Sequence, residues 1–251
     1  MDLNLKNKKV FVSGSSQGIG LSIAKKFIQE EANVVINSRN EDNLKKVVAS
    51  MKNCASVSGD LTNPHVASEI IMKAADILGG IDILICNVGS GSSVPPGKEN
   101  YEEWQRVFGI NFFSATNIIE ASGNFLKKSK GSIVCISSIC GNETIPGAPI
   151  TYSVAKSALN SYVKSMSFSL AGHGIRINAV APGNIDFDGS VWSKKLSENP
   201  DSVHKMLENN VPLNKLGSTD DVANLVLWLS SDIANFVTGS IFTTDGGQTR
   251  S

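Results

Sequence analysis

Short β-branched runs recur along the chain between segments of helical period. The runs Val10 to Ser13, Val34 to Asn37, Ala55 to Ser58, Ile81 to Cys86, Ser132 to Ser137, Ile175 to Val180 and Ser240 to Thr243 predict seven strands. Most lack polar alternation, as strands covered on both faces by crossover helices do. Helical spacing of apolar residues predicts helices over Ile19 to Glu31, Asp42 to Met51, Pro64 to Leu78, Tyr101 to Leu126, Tyr152 to Ala171 and Asp220 to Ser230. Alternating β and α along the whole length predicts an α/β fold, a doubly wound, Rossmann-type seven-stranded parallel sheet forming a single domain over 1–251. One stretch, Gly183 to about Leu216, fits neither period. It follows the sixth strand, on the side of an open α/β sheet where ligands bind, and is expected to be an irregular lid over a substrate.

Composition narrows the partners. The 251 residues are 41% hydrophobic, enough for one sizeable core, and 23 Lys and Arg balance 23 Asp and Glu. No global field then favours nucleic acid or an anionic membrane, and a small-molecule ligand is expected. Cys54, Cys86, Cys135 and Cys140 form no CxxC pair and read as buried thiols in a reducing compartment. The stretch from Met1 to Lys9 is polar, and no run approaches the roughly 18 apolar residues of a membrane span, so a cytoplasmic protein is expected. His65, His173 and His204 are scattered and predict no metal site.

The segment Ser13-Gly14-Ser15-Ser16-Gln17-Gly18-Ile19-Gly20 leaves the first strand and opens the first helix. Gly14 permits a tight turn, Gly18 lets the backbone approach a pyrophosphate, and Gly20 permits close packing of helix on strand. Free N–H groups at the helix start would face the anion. The spacing, G-x3-G-x-G, resembles that of the short-chain dehydrogenase/reductase family, with Ser13 in place of threonine. Further segments match that family in register: Asp60 in Gly-Asp-Leu-Thr, Asn87 and Gly89 in Cys-Asn-Val-Gly, Asn111 in Ile-Asn-Phe-Phe, Ser138 after a strand, Tyr152-x3-Lys156, Pro182-Gly183, and a closing Asp245-Gly246-Gly247. The resemblance covers nearly the whole chain. It implies a nicotinamide cofactor held by Gly14, Ser16, Gln17, Gly18, Ile19, Gly20, Ser38, Arg39, Asp60, Leu61, Asn87, Gly89, Tyr152, Lys156, Pro182, Gly183 and Ile185.

The tip of the second strand reads Asn37-Ser38-Arg39-Asn40. In this fold an acidic side chain there accepts from a ribose 2′-hydroxyl, whereas a basic one welcomes a 2′-phosphate. By the family's pattern Ser38 stands where the NAD-selecting aspartate would be and Arg39 where the NADP-selecting base would be, so NADP is expected over NAD. Asp60 resembles the residue that binds the adenine edge, and an Asp there also suits a local cap.

Tyr152 and Lys156 are four apart in a helical segment and so share a face. A phenol of pKa near 10 is a poor base at neutral pH, and an adjacent ammonium is expected to lower that value. The resemblance makes Tyr152 the proton donor and acceptor at the substrate oxygen and Lys156 a ligand of the nicotinamide ribose. It makes Ser138 the group that bonds the substrate oxygen, preferred over Ser137 because Gly141 completes the family's Ser-x-x-Gly. Asn111 matches the Asn whose backbone holds a water linking Lys156 to solvent. Two departures stand out: Phe187 replaces a common Thr after Pro182-Gly183-Asn184-Ile185, and Cys86 replaces the first Asn of Asn-Asn-Ala-Gly.

The substrate stays open at this level. Pro212-Leu213-x-Lys215-Leu216-Gly217 resembles 3-oxoacyl-acyl-carrier-protein reductases, and Lys127, Lys128 and Lys130 would suit an acidic carrier, but His173 stands where such reductases often carry Arg. A sugar or other polyol-type alcohol is the main alternative, and Asp186 to Trp192 offers both carboxylates and aromatics. From another class, an NADP(H)-binding sensor or scaffold would need only the glycine turn and Arg39. The resemblance also implies a homotetramer, or a homodimer, through the two long helices, where Tyr162, Met166 and Phe168 offer apolar area.

Overall fold

A computed structural model describes residues 2–250. In chain order the elements are β1 (Lys9–Val12), α1 (Gly18–Gln29), β2 (Asn33–Ser38), α2 (Glu41–Ala49), β3 (Cys54–Ser58), α3 (Pro64–Leu78), β4 (Ile83–Cys86), α4 (Tyr101–Phe108), α5 (Ser114–Ser129), β5 (Ser132–Ile136), α6 (Ile150–Ala171), β6 (Arg176–Pro182), β7 (Ile185–Asp186), α7 (Val191–Glu198), α8 (Pro200–Asn210), β8 (Gly217–Ser218), α9 (Thr219–Ser230) and β9 (Ile241–Thr244). Seven strands form one sheet in the order β3-β2-β1-β4-β5-β6-β9, all parallel. This is the expected doubly wound sheet. The order turns back between β1 and β4, which opens a crevice at the carboxyl ends of those strands.

The missing polar alternation has a direct cause. Val10 and Val12 of β1 pack with α1, α2 and α9 through Ile23, Leu44 and Val226, whereas Phe11 between them packs on the other face with Ile71, Ile118 and Leu159 of α3, α5 and α6. Both faces of the sheet are dry, so each strand needs apolar residues at successive positions. Helix starts follow local chemistry. Asn40 and Asn63 accept from N–H groups of the first turns of α2 and α3, Pro64 occupies the first turn of α3, and Ser218 with Asp221 forms a reciprocal capping box at α9.

Two expectations are corrected. The single helix expected over Tyr101 to Leu126 is α4 and α5 joined by a π-turn, Gly109–Phe113, and it runs on to Ser129. The wider turn shifts side-chain phase where Asn111 sits, which apolar periodicity does not register. Gly183 to Leu216 is not irregular: it contains β7, α7 and α8. Ser190 caps α7 by accepting from Ser193 N at 2.9 Å, and Asn199 followed by Pro200 starts α8. Val203, Leu207 and Val211 make a small core of their own with Trp192 and Leu196. The apolar pairs are spaced four apart, as helices require, but so much polar sequence surrounds them that the pattern was masked.

Candidate active site

The glycine turn is held open by side chains from the neighbouring strand. Gly14 and Gly18 take φ of +59° and +57°, a left-handed conformation that favours glycine. Asn87, just past β4, donates from Nδ2 to the carbonyls of Ser13 at 3.0 Å and Gly14 at 2.9 Å. Ser13 Oγ accepts from Asn87 N at 2.8 Å and donates to Ile85 O at 3.0 Å, which accounts for a hydroxyl residue there. A Cβ on Gly20 would collide with the Asn87 amide and the Gly14 carbonyl. Asn87 therefore positions the turn. The Phe187 ring lies against Gly18, so close that a Cβ added there would sit 2.6 Å from the ring edge.

At the tip of β2, Ser38 Oγ donates to Asn40 O at 3.2 Å, and Arg39 projects with three-quarters of its side chain exposed. Arg39 Nη1 lies 4.0 Å from Asp60 Oδ2, while Asp60 Oδ1 accepts from Thr62 N at 2.9 Å. Asp60 thus holds a short turn ahead of α3, whose cap is Asn63, and still faces the cation. Leu61 is buried, with its carbonyl accepting from Asn117 Nδ2 at 2.9 Å.

The turn after β5 and the start of α6 are locked together. Ser157 Oγ donates to Gly141 O at 2.9 Å, Asn160 Nδ2 donates to Asn142 Oδ1 at 2.8 Å, and Lys156 Nζ donates to Ile136 O at 2.8 Å. Close approach depends on Gly141: a Cβ there would be 2.7 Å from the Lys156 carbonyl carbon. Ser138 lies beside the Tyr152 phenol and works against the rise in its pKa. Ser137, the competing serine, points its hydroxyl instead at Lys156 O, 3.5 Å away.

Lys156 is only 2% exposed, with Nζ 5.9 Å from the centroid of the Tyr152 ring. Burial pulls its ammonium down to about 8. Burial also pushes the Tyr152 phenol up to about 12, against the opposing pull of the Ser138 hydrogen bond. Desolvation is the largest cause for both groups, so the phenol lies above its ordinary value where the four-residue spacing alone led to the expectation of a lower one. Asn111 is 1% exposed and is clamped by its own amide: Oδ1 accepts from Ser90 N at 2.9 Å, and Nδ2 donates to Ser90 O at 3.0 Å and Val107 O at 3.1 Å. A Cβ on Gly89 would be 3.0 Å from Asn111 Oδ1 and 3.1 Å from Lys156 Nζ, so this glycine leaves the space in which the two polar groups converge.

One cleft of about 1420 Å³ gathers these residues. It is lined by Gly14, Ser16, Gln17, Gly18, Ile19 and Gly20 from the turn, by Ser38, Arg39, Asp60 and Leu61 at the tips of β2 and β3, and by Asn87 and Gly89 after β4. Ser138, Tyr152, Lys156, Pro182, Gly183 and Ile185 complete the same wall, and Asn111 stands behind Gly89. Trp192, at the end of the stretch expected to meet the substrate, lines the cleft, and cleft residues missed from sequence include Lys195 of α7 and Gln248 and Arg250 near the C-terminus. Lys195 lay inside an unread helix. The last two are brought back by a turn at Asp245, whose carboxylate accepts from Gly247 N and Thr249 N, so the signal available was the Asp-Gly-Gly motif itself.

A doubly wound sheet carrying a glycine turn in one cleft with a serine, a tyrosine and a lysine defines the class of oxidoreductases that act on hydroxyl and carbonyl groups. Comparison with known proteins makes the family specific. A family profile described as enoyl-(acyl carrier protein) reductase matches residues 14–249. The chain is 32% identical to 3beta-hydroxysteroid dehydrogenase 1 of Eggerthella lenta, over 98% of its own length and 95% of that protein's. It is 31% identical to glucose 1-dehydrogenase 2 of Bacillus subtilis, over 98% and 96%. Among solved structures, L-sorbose reductase of Gluconobacter frateurii, complexed with NADPH and L-sorbose, superposes with a TM-score of 0.93 at 27% identity over the full length of both chains. The chain belongs to the short-chain dehydrogenase/reductase family.

Proposed function

We propose that the protein is an NADP(H)-dependent oxidoreductase that interconverts a ketone and a secondary alcohol, with Tyr152, Lys156, Ser138 and Asn111 as its working residues. The observation that carries the reading is the convergence of Tyr152, Ser138 and Lys156 on the same cleft as the glycine turn. The turn fits a dinucleotide because Gly14 and Gly18 take left-handed backbone angles that present the turn and the start of α1 to the cleft, which Gly14, Ser16, Gln17, Gly18, Ile19 and Gly20 all line. Gly14, Ser16, Gln17, Gly18, Ile19 and Gly20 would hold the pyrophosphate, and Arg39 would take a 2′-phosphate in place of Asp60. Asp60, Leu61, Asn87, Gly89, Pro182, Gly183 and Ile185 would line the rest of the dinucleotide, with Ser38 beside Arg39. NADPH in the superposed L-sorbose reductase supports the same choice of cofactor.

A nicotinamide held in this cleft would supply or receive hydride. Ser138 holds the substrate oxygen and Tyr152 gives it a proton in the reducing direction. With the phenol near 12 and the lysine near 8, both groups carry their protons at neutral pH, so the resting site is set as a general acid. Lys156 stabilises the phenolate left behind, and Asn111 holds the surrounding backbone. The segment from Gly183 to Leu216 acts as the substrate lid, formed by α7 and α8. We place the protein in the cytoplasm as a homotetramer: its four cysteines are free thiols, and Phe168, 91% exposed, stands with Val154 on the outer side of α6. A 3-oxoacyl thioester and a polyol-type ketone are both substrates of the right functional group.

The test is a 340 nm screen with NADPH and NADH against small ketones, keto-sugars and oxoacyl thioesters, run on the wild type and Tyr152→Phe. Turnover in the wild type that is lost in Tyr152→Phe, with NADPH affinity nearly the same, supports the enzyme. Tight NADPH binding without turnover of any carbonyl supports a cofactor-binding sensor instead.

A further inference from the structure

The chain as a whole is electrically neutral, but its cleft is not. Five cations line it, Arg39, Arg106, Lys156, Lys195 and Arg250, against two carboxylates, Asp60 and Glu143. A concave, partly dry site of one sign focuses the field and concentrates ligands of the other. Part of this charge is accounted for. Arg39 faces Asp60 and belongs to the cofactor end, and Lys156 donates to Ile136 O. Arg106 is tied to Glu103 by contacts of 2.7 Å and donates to Ser92 O, so it braces the wall of the cleft.

Lys195 has no such employment. It is exposed on the lid helix α7, and its Nζ lies 4.5 Å above the centre of the Trp192 ring. No carboxylate lies within ion-pairing distance of it among the described residues, although Glu198 is on the next turn. Stacking on the indole restricts the long lysine chain without neutralising it. Both residues line the cleft. Elsewhere in the cleft lining, Gln248 has its amide oxygen buried without a hydrogen-bond partner.

We propose that Lys195, held over Trp192 on the lid, binds an acidic group of the substrate, so that the preferred substrates are ketones or alcohols bearing a carboxylate or a phosphate. The proposal rests on reading the cleft as that of a carbonyl-reducing enzyme, and it makes the lid the part that reads charge.

Matched pairs test it: a ketose and its terminal phosphate, and a keto acid and its methyl ester, each assayed with NADPH in the wild type, Lys195→Gln and Lys195→Arg. Expected in the wild type is a kcat/KM about tenfold higher for the charged member of at least one pair, expressed in KM and weakened by salt. Lys195→Gln brings that ratio close to one, and Lys195→Arg keeps it. Which pair shows the preference separates phosphate from carboxylate. Equal or better use of the neutral members by the wild type, or a ratio untouched in Lys195→Gln, overturns the proposal and leaves the enzyme reading standing. Failure of every member to turn over while NADPH still binds overturns both.

Discussion

Gly141→Ala adds one methyl group at the point where the Ser138 turn meets α6. Its Cβ would stand 2.7 Å from the Lys156 carbonyl carbon and 2.8 Å from the carbonyl oxygen, and 3.0 Å from Asn160 Nδ2. Ordinary contact begins near 3.4 Å, so the turn and the helix must part by about 0.7 Å. Neither side yields cheaply, because the obstruction is helical backbone and the turn is tied down by Ser157 and Asn160. Overpacking of this kind costs about 1–3 kcal/mol, which for a domain of this size lowers Tm by roughly 2–12 °C. The larger effect falls on chemistry. Ser138 rides on the displaced turn and Tyr152 and Lys156 on the helix, and misplacement by about 1 Å costs on the order of 100-fold in rate. A fall in kcat of about 20- to 100-fold is therefore expected, with NADPH affinity, measured by fluorescence titration, reduced much less. Wild-type kcat together with wild-type Tm refutes the steric reasoning. A lowered Tm with full kcat refutes the link between the turn and the alignment of Ser138 with Tyr152.

Three further outcomes follow from the site. In the reducing direction kcat/KM is level below about pH 8 and falls above it as Lys156 loses its proton, a limb that a pH–rate profile locates and that Lys156→Met removes along with most turnover. The same lysine is stored strain: its value is lowered from 10.5 to about 8, so the unfolded chain binds more protons between those pH values and stability rises with pH through that window. Lys156→Met is accordingly expected to gain up to about 3 kcal/mol at pH 7, read as a higher Tm by thermal melts at pH 7, with the gain shrinking toward pH 10. Arg39→Ala weakens NADPH by about tenfold, the modest scale set by exposure of Arg39, while NADH binding changes little, as titration of both cofactors would show.

Much of this molecule was determined by residue order alone. Unbroken apolar strands separated by helical repeats admit few arrangements other than a sheet covered on both sides, and Gly14, Gly18, Ser138, Tyr152 and Lys156 carry their chemistry in short-range spacing. Local rules of this kind act within a turn or two of chain, so they can be read without coordinates. What depended on distant segments meeting was hidden. Helices α7 and α8 needed Trp192, Leu196, Val203 and Leu207 to find one another before their apolar spacing had a core to fill. Arg250 and Gln248 reached the cleft only because β9 pairs beside β6 and its tail folds back. The protonation of Tyr152 and Lys156 was decided last, since four-residue spacing puts the two side chains on one helix face but only burial by the assembled sheet, turn and helix raises the phenol and lowers the ammonium.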